Sequence, residues 1–339
     1  MSEQGTPLGT IHSLSYTRDD EAPPPQKNRR QLLIEEKESY RWLVGFLKSC
    51  EIAEECPDTT IVSISDREGD VFDIFEEAKA PDTPHNAHVI IRERHNRFLE
   101  NAAEKGQRIE QKLTRSSVIY NAQIVLNPDS KKERKANIAI RAAPVCLKIP
   151  VNSVKKRTEP VQVNAVMISE FDPPKDCEAL YWVLITTLPI KTEDQVRKIV
   201  MLYGLRWHIE LFFKCLKSGC KIDSLLFQSV ERIENYIALC LIIAWKTMLV
   251  TYLPREYPNA SCTLIFTDIE WKLAFLSVHK KKKPIPKNPP SLRETTQLVA
   301  SLGGYIKRKA PHGMQTVWKG IVRLMDMVSG YELAQELKN

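Results

Sequence analysis

Residues 59–70, TTIVSISDREGD, place an acidic turn directly after a run rich in β-branched residues. Such a run favours a buried β-strand, and the DREGD that follows favours a turn. The next segment, VFDIFEEAK at residues 71–79, resumes helical spacing, and HVIIRER at residues 88–94 is again typical of a strand. The order strand, helix, strand indicates a mixed α/β core with a carboxylate at the end of its first strand.

The flanking chain extends this core. Residues 35–53 predict a helix, because apolar side chains recur there at helical spacing. Residues 108–187 favour β-structure throughout, in runs separated by lysine-rich loops. We therefore predict an α/β fold with an inserted β-sheet subdomain and a C-terminal helical region. The predicted segments are a partial core at 1–107, a β insertion at 108–190, core helices at 191–278, and a linker followed by helices at 279–339.

Residues 203–217, YGLRWHIELFFKCLK, interrupt an apolar helix with polar groups. We predict one helix over residues 192–219, with Thr192 as its cap and Gly219 as its end. At about 100° per residue, five polar side chains fall within an arc of about 80°. These are Tyr203, Arg206, Glu210, Lys214 and Lys217. One stripe would present a carboxylate among cations. The alternative is a solvated helix face held by ion pairs between residues four apart.

Asp66 provides a second carboxylate, at the predicted end of a strand. Loops at strand ends often carry catalytic and binding groups. Mg²⁺ takes one or two carboxylates, with phosphate oxygens and water completing its ligands. Two such ions can bind the attacking and leaving oxygens in phosphoryl transfer. The alternative is that Asp66 only caps the helix that follows it.

Composition is compatible with a nucleic-acid partner without requiring one. The 339 residues carry a net charge of +7, and the sequence pI is about 8.9. The sequence contains no run of 18 apolar residues, and its start lacks the pattern of a signal peptide, so we expect no membrane span. The eight cysteines form no CxxC pair, which favours reduced thiols over a structural zinc site.

The two motifs together resemble a known family. DREGD at residues 66–70, followed far downstream by Tyr-x2-Arg-x3-Glu-x6-Lys from residue 203, is similar to the DDE transposases of the bacterial insertion-sequence-four family, the transposon-five transposase among them. The resemblance extends from GTPLG at residues 5–9 to the C-terminal tail. It implies a ribonuclease-H-like core with a β insertion, and cut-and-paste DNA transposition at transposon ends. It also implies a cytoplasmic protein, associated with the nucleoid when bound to DNA.

The resemblance assigns roles to individual residues. Asp66 matches the second aspartate and Glu210 the glutamate of a catalytic set that binds two Mg²⁺ or Mn²⁺ ions. Water cuts one strand at a transposon end, and the freed 3′-hydroxyl attacks a phosphodiester bond, through a hairpin in some branches. Tyr203, Arg206 and Lys217 match residues that hold phosphates, and Lys214 matches a further basic position.

Other candidate DNA contacts lie on the predicted sheet. Trp182 matches a tryptophan that stacks on a flipped base, and its alternative is a core aromatic residue. Arg92, Arg94 and Arg97 could hold the DNA backbone, and their alternative is a solvated strand end. The basic residues of the insertion loops are as compatible with solubility as with DNA contact. They are Lys131, Lys132, Lys155, Lys156 and Arg157.

The chain departs from the family pattern at its N-terminus. The family's first aspartate precedes the segment that resembles residues 5–16, and Asp19 and Asp20 lie in no predicted strand. We therefore expect an N-terminally truncated transposase that does not cleave DNA alone. The alternatives are an inactive form that binds DNA or full-length transposase as an inhibitor, and an unrelated metal-dependent nuclease. The tail at residues 291–339 is expected to pair two protomers as a homodimer on DNA, or else to pack internally.

Overall fold

The computed structural model describes residues 1–14, 32–80, 87–100, 106–126, 133–150, 159–222, 229–280, 282–306 and 313–337. The chain divides into two compact units. The sheet unit is Ile11–Arg206, and the helical unit is Met1–Thr10 with Trp207–Asn339. Asp19, Asp20 and the basic residues singled out in the insertion loops lie outside the described residues.

A six-stranded mixed sheet forms the centre of the sheet unit, in the order β1-β2-β6-β5-β4-β3. Its strands are β1 (Val62–Ser65), β2 (His88–Arg92), β3 (Val118–Leu126), β4 (Arg134–Leu147), β5 (Val161–Glu170) and β6 (Tyr181–Thr186). β1 and β2 are parallel, and the other neighbours are antiparallel. The strands of the predicted insertion therefore continue the sheet that β1 and β2 begin.

Both faces of this sheet are covered by apolar packing. Its helices are α1 (Tyr40–Glu55), α2 (Phe72–Glu77), α3 (Ile109–Arg115) and α4 (Glu193–Gly204). Residues of α1, α2 and α3 share a buried cluster with one sheet face, and residues of α4 share a second cluster with the other. β2 contributes to both, because Val89 and Ile91 join the first cluster and Ile90 joins the second. This double burial explains the continuous apolar run VII in its sequence.

Two helix predictions differ from the structure. The segment 108–187 is not entirely β, because α3 begins beside Arg108, where the Gln111 side chain accepts a hydrogen bond from the Arg108 backbone N–H. The single helix predicted over residues 192–219 is also wrong. α4 ends at Gly204, a 3₁₀ turn follows at Leu205–Trp207, and a separate helix begins at His208. Glycine destabilises a helix interior by about 1 kcal/mol, which favours an interruption there.

The helical unit has its own core. Its helices are α5 (His208–Ser218), α6 (Val230–Glu256), α7 (Asp268–His279), α8 (Leu292–Leu302) and α9 (Met314–Glu336). Trp271 of α7, Val299 of α8 and Ile321 of α9 are buried in one cluster. The crossing of α8 and α9 leaves no room for side chains at two glycines, since a Cβ on Gly303 or Gly320 would lie 1.9 Å from a backbone oxygen.

α6 modifies the expectation that the chain has no membrane span. This helix of 27 residues is long and apolar enough to cross a membrane, by length and composition alone. However, Ala244, Thr247, Met248 and Thr251 are buried along it, and Lys246 Nζ donates to Glu270 Oε1 at 2.9 Å. The core helix of a soluble protein meets the same criteria of length and composition, so this one helix is weak evidence for a membrane.

Candidate active site

Asp66 directly follows β1, as predicted, and caps the 3₁₀ turn Arg67–Gly69. Its Oδ1 accepts a hydrogen bond from the Glu68 backbone N–H at 2.9 Å. The carboxylate remains 42% exposed. Asp66 thus lies at the end of the strand and also caps the turn, as the two interpretations of the sequence predicted. One oxygen stabilises the turn, and the side chain remains open to solvent.

Arg206 brings the downstream motif to this carboxylate. Its Nη1 lies 3.9 Å from Asp66 Oδ2, and its side chain is 21% exposed. The guanidinium also interacts with the hydroxyl of Tyr203, a buried residue of α4. Burial raises the pKa of the Tyr203 hydroxyl, and Arg206 and Arg92 oppose that rise. The phenol therefore stays protonated near neutral pH and can donate a hydrogen bond to an anion.

Arg92 and Trp182 complete this cluster from neighbouring strands. Arg92 ends β2, and its guanidinium lies 5.7 Å from the centre of the Trp182 ring. Trp182 is half-buried and meets Tyr203 edge to face, with ring centroids 5.3 Å apart. Arg92 Nε is buried without a hydrogen-bond partner. Burial lowers the pKa of Arg92, and the nearby Arg67 lowers it further.

Arg94 and Arg97 follow Arg92 but are placed differently. Arg94 is exposed, while its backbone N–H donates to Asp70 Oδ2 at 2.8 Å. Arg97 Nε and Nη2 both donate to Asp70 Oδ1, at 3.0 and 2.7 Å. The Arg97 side chain is only 12% exposed. Its DNA contact stays a prediction, and its guanidinium is already bound to a buried carboxylate.

A small cavity beside this loop contains groups that the sequence analysis did not single out. It measures about 80 Å³ and is lined by Arg67, Arg92, Glu93, Arg94, Asn96, Glu110, Tyr181 and Val183. Glu93 is 7% exposed, and burial raises its pKa to about 7. Burial and the nearby carboxylates Glu110 and Glu93 raise the pKa of Tyr181 to about 12. Arg67 and Glu93 both lie within motifs quoted above, so the signal was available.

The remaining predicted residues lie on α5 in the helical unit. Glu210 is half-buried in the first turn, and Lys214 and Lys217 are exposed. Their spacing of four and seven residues places all three on one face of this continuous helix. The approach of Glu210 to Asp66 stays a prediction.

The donor chemistry of Asp66 fits a hard divalent cation. Carboxylate oxygens are the ligands that Mg²⁺ prefers, and one or two of them suffice when phosphate and water supply the rest. Among the described residues, no group of three His, Cys, Asp or Glu side chains is arranged to hold a metal ion.

Two families of known proteins match this chain. The family described as Transposase DDE domain matches residues 83–246. The family described as Transposase Tn5 dimerisation domain matches residues 242–338. The first match contains Trp182 and the whole Tyr203–Lys217 motif, whereas DREGD precedes it. The second contains α7, α8 and α9.

Proposed function

We propose, on the premise that the chain belongs to the transposon-five-like DDE transposases of the insertion-sequence-four family, that it takes part in cut-and-paste transposition at transposon ends. Its mixed sheet with helices on both faces is consistent with the ribonuclease-H-like fold of that family. DNA transposase is the general function. The proposed reaction is hydrolysis of one DNA strand, followed by attack of the freed 3′-hydroxyl on a phosphodiester bond, through a hairpin where that branch of the family uses one.

The observation that supports this proposal most strongly is the approach of Arg206 to Asp66. The two residues belong to motifs that lie far apart in sequence, yet Nη1 and Oδ2 are 3.9 Å apart. This distance exceeds that of a tight hydrogen-bonded ion pair. Asp66 is half-exposed, and Arg206 is not tightly paired with it. Such an arrangement suits a site that binds a metal ion and a phosphate together, because the metal ion would bind the carboxylate and the phosphate would bind the guanidinium.

Members of this family generally use divalent metal ions. We propose that Asp66 and Glu210 hold Mg²⁺ or Mn²⁺, two ions in a complete site. When bound, such ions activate the attacking water and stabilise the leaving oxygen. The hydrogen bond from the Glu68 N–H fixes the orientation of the Asp66 carboxylate without using its second oxygen.

Around these carboxylates we assign the cationic and phenolic groups to phosphates. Tyr203 and Arg206 would donate to phosphate oxygens next to Asp66, and Lys214 and Lys217 would do so on the α5 face. Arg92 and Arg94 would hold the backbone beyond them. Charge-assisted hydrogen bonds of this kind are stronger than neutral ones, and they position DNA without reading its sequence.

Trp182 is proposed to stack on an unpaired base. The indole is half-buried, so part of its surface remains open, while Tyr203 and Arg92 fix the ring from two directions. Stacking of a base on an aromatic ring contributes about 1–3 kcal/mol and tolerates any base. The alternative of a core aromatic residue stays open, because Trp182 also packs against the buried cluster on the α4 face of the sheet.

The proposed partners are transposon-end DNA, target DNA and a second copy of the chain, in the cytoplasm and on the nucleoid. Deleting residues 291–339 would be a poor test of pairing, since Leu302, Ile321 and Leu324 are buried in the helical unit. Met325 and Leu333 of α9 are 46% and 61% exposed. We expect Met325→Glu with Leu333→Glu to abolish self-association in analytical ultracentrifugation, while Gln335→Glu on the same helix leaves it unchanged.

Nicking of a supercoiled plasmid in Mg²⁺ or Mn²⁺ tests the reaction itself, with Asp66→Asn and Glu210→Gln as controls. Cleavage that survives both substitutions would exclude the assigned carboxylates. In parallel, fluorescence anisotropy on a short duplex of arbitrary sequence tests DNA binding, because backbone contacts need no specific sequence.

A second candidate function is DNA binding without cleavage, with the chain acting as an inhibitor of a catalytically active transposase. The exposed lysines of α5 and the match to a dimerisation domain favour it. DNA binding together with no nicking in either metal would support this function over catalysis. Loss of self-association in the α9 variant should then also relieve inhibition of an active transposase.

A further inference from the structure

Asp70, the last residue of DREGD, forms a buried ion pair with Arg97 across two loops. The Asp70 side chain is fully buried, and Oδ1 accepts from Nε and Nη2 of Arg97 at 3.0 and 2.7 Å. Arg97 Nη2 also donates to the Asp70 backbone oxygen at 2.9 Å. The Arg94 backbone N–H occupies Asp70 Oδ2 at 2.8 Å. Both carboxylate oxygens therefore bind the loop that follows β2.

Arg97 has few groups left for DNA. Its guanidinium lies 5.9 Å from the centre of the Phe72 ring and 5.8 Å from that of Phe75, both in α2. Only 12% of the side chain is exposed, and a phosphate that displaced Asp70 from Nε and Nη2 would leave a buried carboxylate unpaired. A role for this pair in holding the two loops together fits the contacts better.

Those two loops carry the residues that the proposed function uses. Ser65 of β1 pairs with Ile91 of β2 in parallel register, so Asp66 and Arg92 are the next residues along each strand. The Asp66 turn ends at Asp70, and the loop after Arg92 runs through Arg94 to Arg97. The ion pair thus connects the two loops just beyond Asp66 and Arg92, the residues that the proposed function uses.

We infer that Asp70 and Arg97 are positioning residues, which hold the Asp66 carboxylate in register with Arg92 for binding a divalent cation and a phosphate. This inference rests on the proposed function of Asp66. Arg97 touches neither group itself and acts through Asp70 and the turn. Partners that orient a ligand residue typically change metal affinity by about 10–100-fold when they are removed.

The test uses the full chain and Mn²⁺ alone as the probe, with free Mn²⁺ measured by electron paramagnetic resonance. We expect Asp70→Asn and Arg97→Gln to weaken Mn²⁺ binding by about tenfold or more. Arg97→Lys keeps the charge but loses the two-nitrogen contact, so its affinity should lie between wild type and Arg97→Gln. If the other two variants do not fold, the Mn²⁺ affinity of Arg97→Lys still tests the inference.

A second arginine–carboxylate pair, partly buried between neighbouring strands, provides the control. Arg134 and Glu170 join β4 to β5, with side chains 19% and 1% exposed. Three strands separate β4 from β1 in the sheet. Arg134→Gln should lower the melting temperature much as Arg97→Gln does, but leave Mn²⁺ affinity unchanged. Equal Mn²⁺ affinity in wild type, Asp70→Asn and Arg97→Gln would overturn the inference and leave a purely structural pair.

A failure of the proposed function can be recognised separately, by comparing the Mn²⁺ affinity of the wild type with that of Asp66→Asn. If these two bind Mn²⁺ equally, Asp66 is not the ligand, and both the site and the positioning role are wrong. If Asp66→Asn loses binding while Asp70→Asn and Arg97→Gln retain it, only the positioning role is wrong.

Discussion

The two aspartates at the ends of DREGD are chemically identical, and the fold treats them in opposite ways. Asp66 is 42% exposed and faces Arg206 at 3.9 Å, whereas Asp70 is fully buried and bound by Arg97 at 2.7 Å. One carboxylate keeps an oxygen available, and the other has both oxygens occupied by nitrogen donors. Within five residues the same side chain serves as a candidate ligand and as a structural contact.

This difference shows which property separates a candidate site from a structural contact. A buried charge is costly without its partner, so the fold keeps the pair together and the charged group cannot bind a metal ion or a phosphate instead. An exposed charge with a distant partner contributes little to stability and can accept a new one. Substitution of Asp70 should therefore change mainly the free energy of unfolding, and substitution of Asp66 should change mainly the affinity for a metal ion.

The largest expected effect is on stability at Asp70. Asp70→Ala removes one partner of a buried pair and leaves the Arg97 guanidinium uncompensated, so we expect a loss of about 3–5 kcal/mol in the free energy of unfolding. Urea denaturation measures it. Glu68→Ala in the same turn is the control: its side chain is 61% exposed and pairs with Arg41, so about 0–1 kcal/mol is expected. Equal losses at the two positions would contradict the distinction.

The next effect is a pH dependence from Glu93, which lies beside the buried pair. Its pKa is raised from 4.5 to about 7 by burial and by Asp70 and Glu110, while Arg97 opposes the rise. The folded state therefore holds a proton that the unfolded state has lost, and stability falls as pH rises from about 4.5 to about 7. At about 1.4 kcal/mol per pKa unit, the total is about 3 kcal/mol.

Glu93→Gln should remove this dependence, because the amide oxygen can still accept the hydrogen bond that Arg97 N–H makes at 2.7 Å. Urea denaturation at a series of pH values should show wild type losing stability relative to the variant up to about pH 7 and running parallel above it. Tyr181 also faces Glu93, but its pKa of about 12 keeps it neutral across this range. Parallel curves throughout would mean that the pKa of Glu93 is the same in the folded and the unfolded state, which would contradict the raised value.

Much of the sheet could be predicted from sequence, because β-branched runs bounded by loops mark each strand. The exceptions have local causes. α3 has only seven residues, too few turns to establish a helical period against its β neighbours. Gly204 is a local signal for the break that follows it, but Thr192 and Gly219 mark such clear ends that the sequence pattern indicates one continuous helix between them.

The site could be predicted only in part. The strand-end position of Asp66 follows from local sequence, and so does the shared face of Glu210, Lys214 and Lys217. The separate roles of Asp66 and Asp70 do not, because the residue that buries Asp70 lies 27 positions further on. The distance between Arg206 and Asp66 depends on how α4 packs against the sheet. No periodicity within either motif encodes it.

A smaller effect is expected in DNA binding, where the cations of the downstream motif should matter. Arg206→Ala and Lys217→Ala should each lower the slope of log affinity against log salt by about 0.9, the value for one lost phosphate contact on duplex DNA. Anisotropy titrations over a range of salt concentrations measure it. Lys48→Ala is the control, since this lysine belongs to neither motif and pairs with Glu51 on its own helix α1. An unchanged slope at Arg206 and Lys217 would favour the solvated helix face.

The smallest expected effect is on stability at Asp66, and it tests the comparison most directly. Asp66→Asn keeps an oxygen that can accept the Glu68 N–H, and asparagine caps helices about as well as aspartate. The lost charge interacts with Arg206 only at 3.9 Å and near solvent, where such pairs contribute about 0–1 kcal/mol. We therefore expect the free energy of unfolding to change by less than about 0.5 kcal/mol in urea denaturation, the range of ordinary surface substitutions.

Mn²⁺ binding in the same variant should nevertheless be lost, because an amide does not replace a carboxylate as a ligand for a hard cation. A stability loss as large as that of Asp70→Ala would show that Asp66 is fixed by the fold as firmly as its neighbour, and the assignment of an open ligand at the end of β1 would then fail.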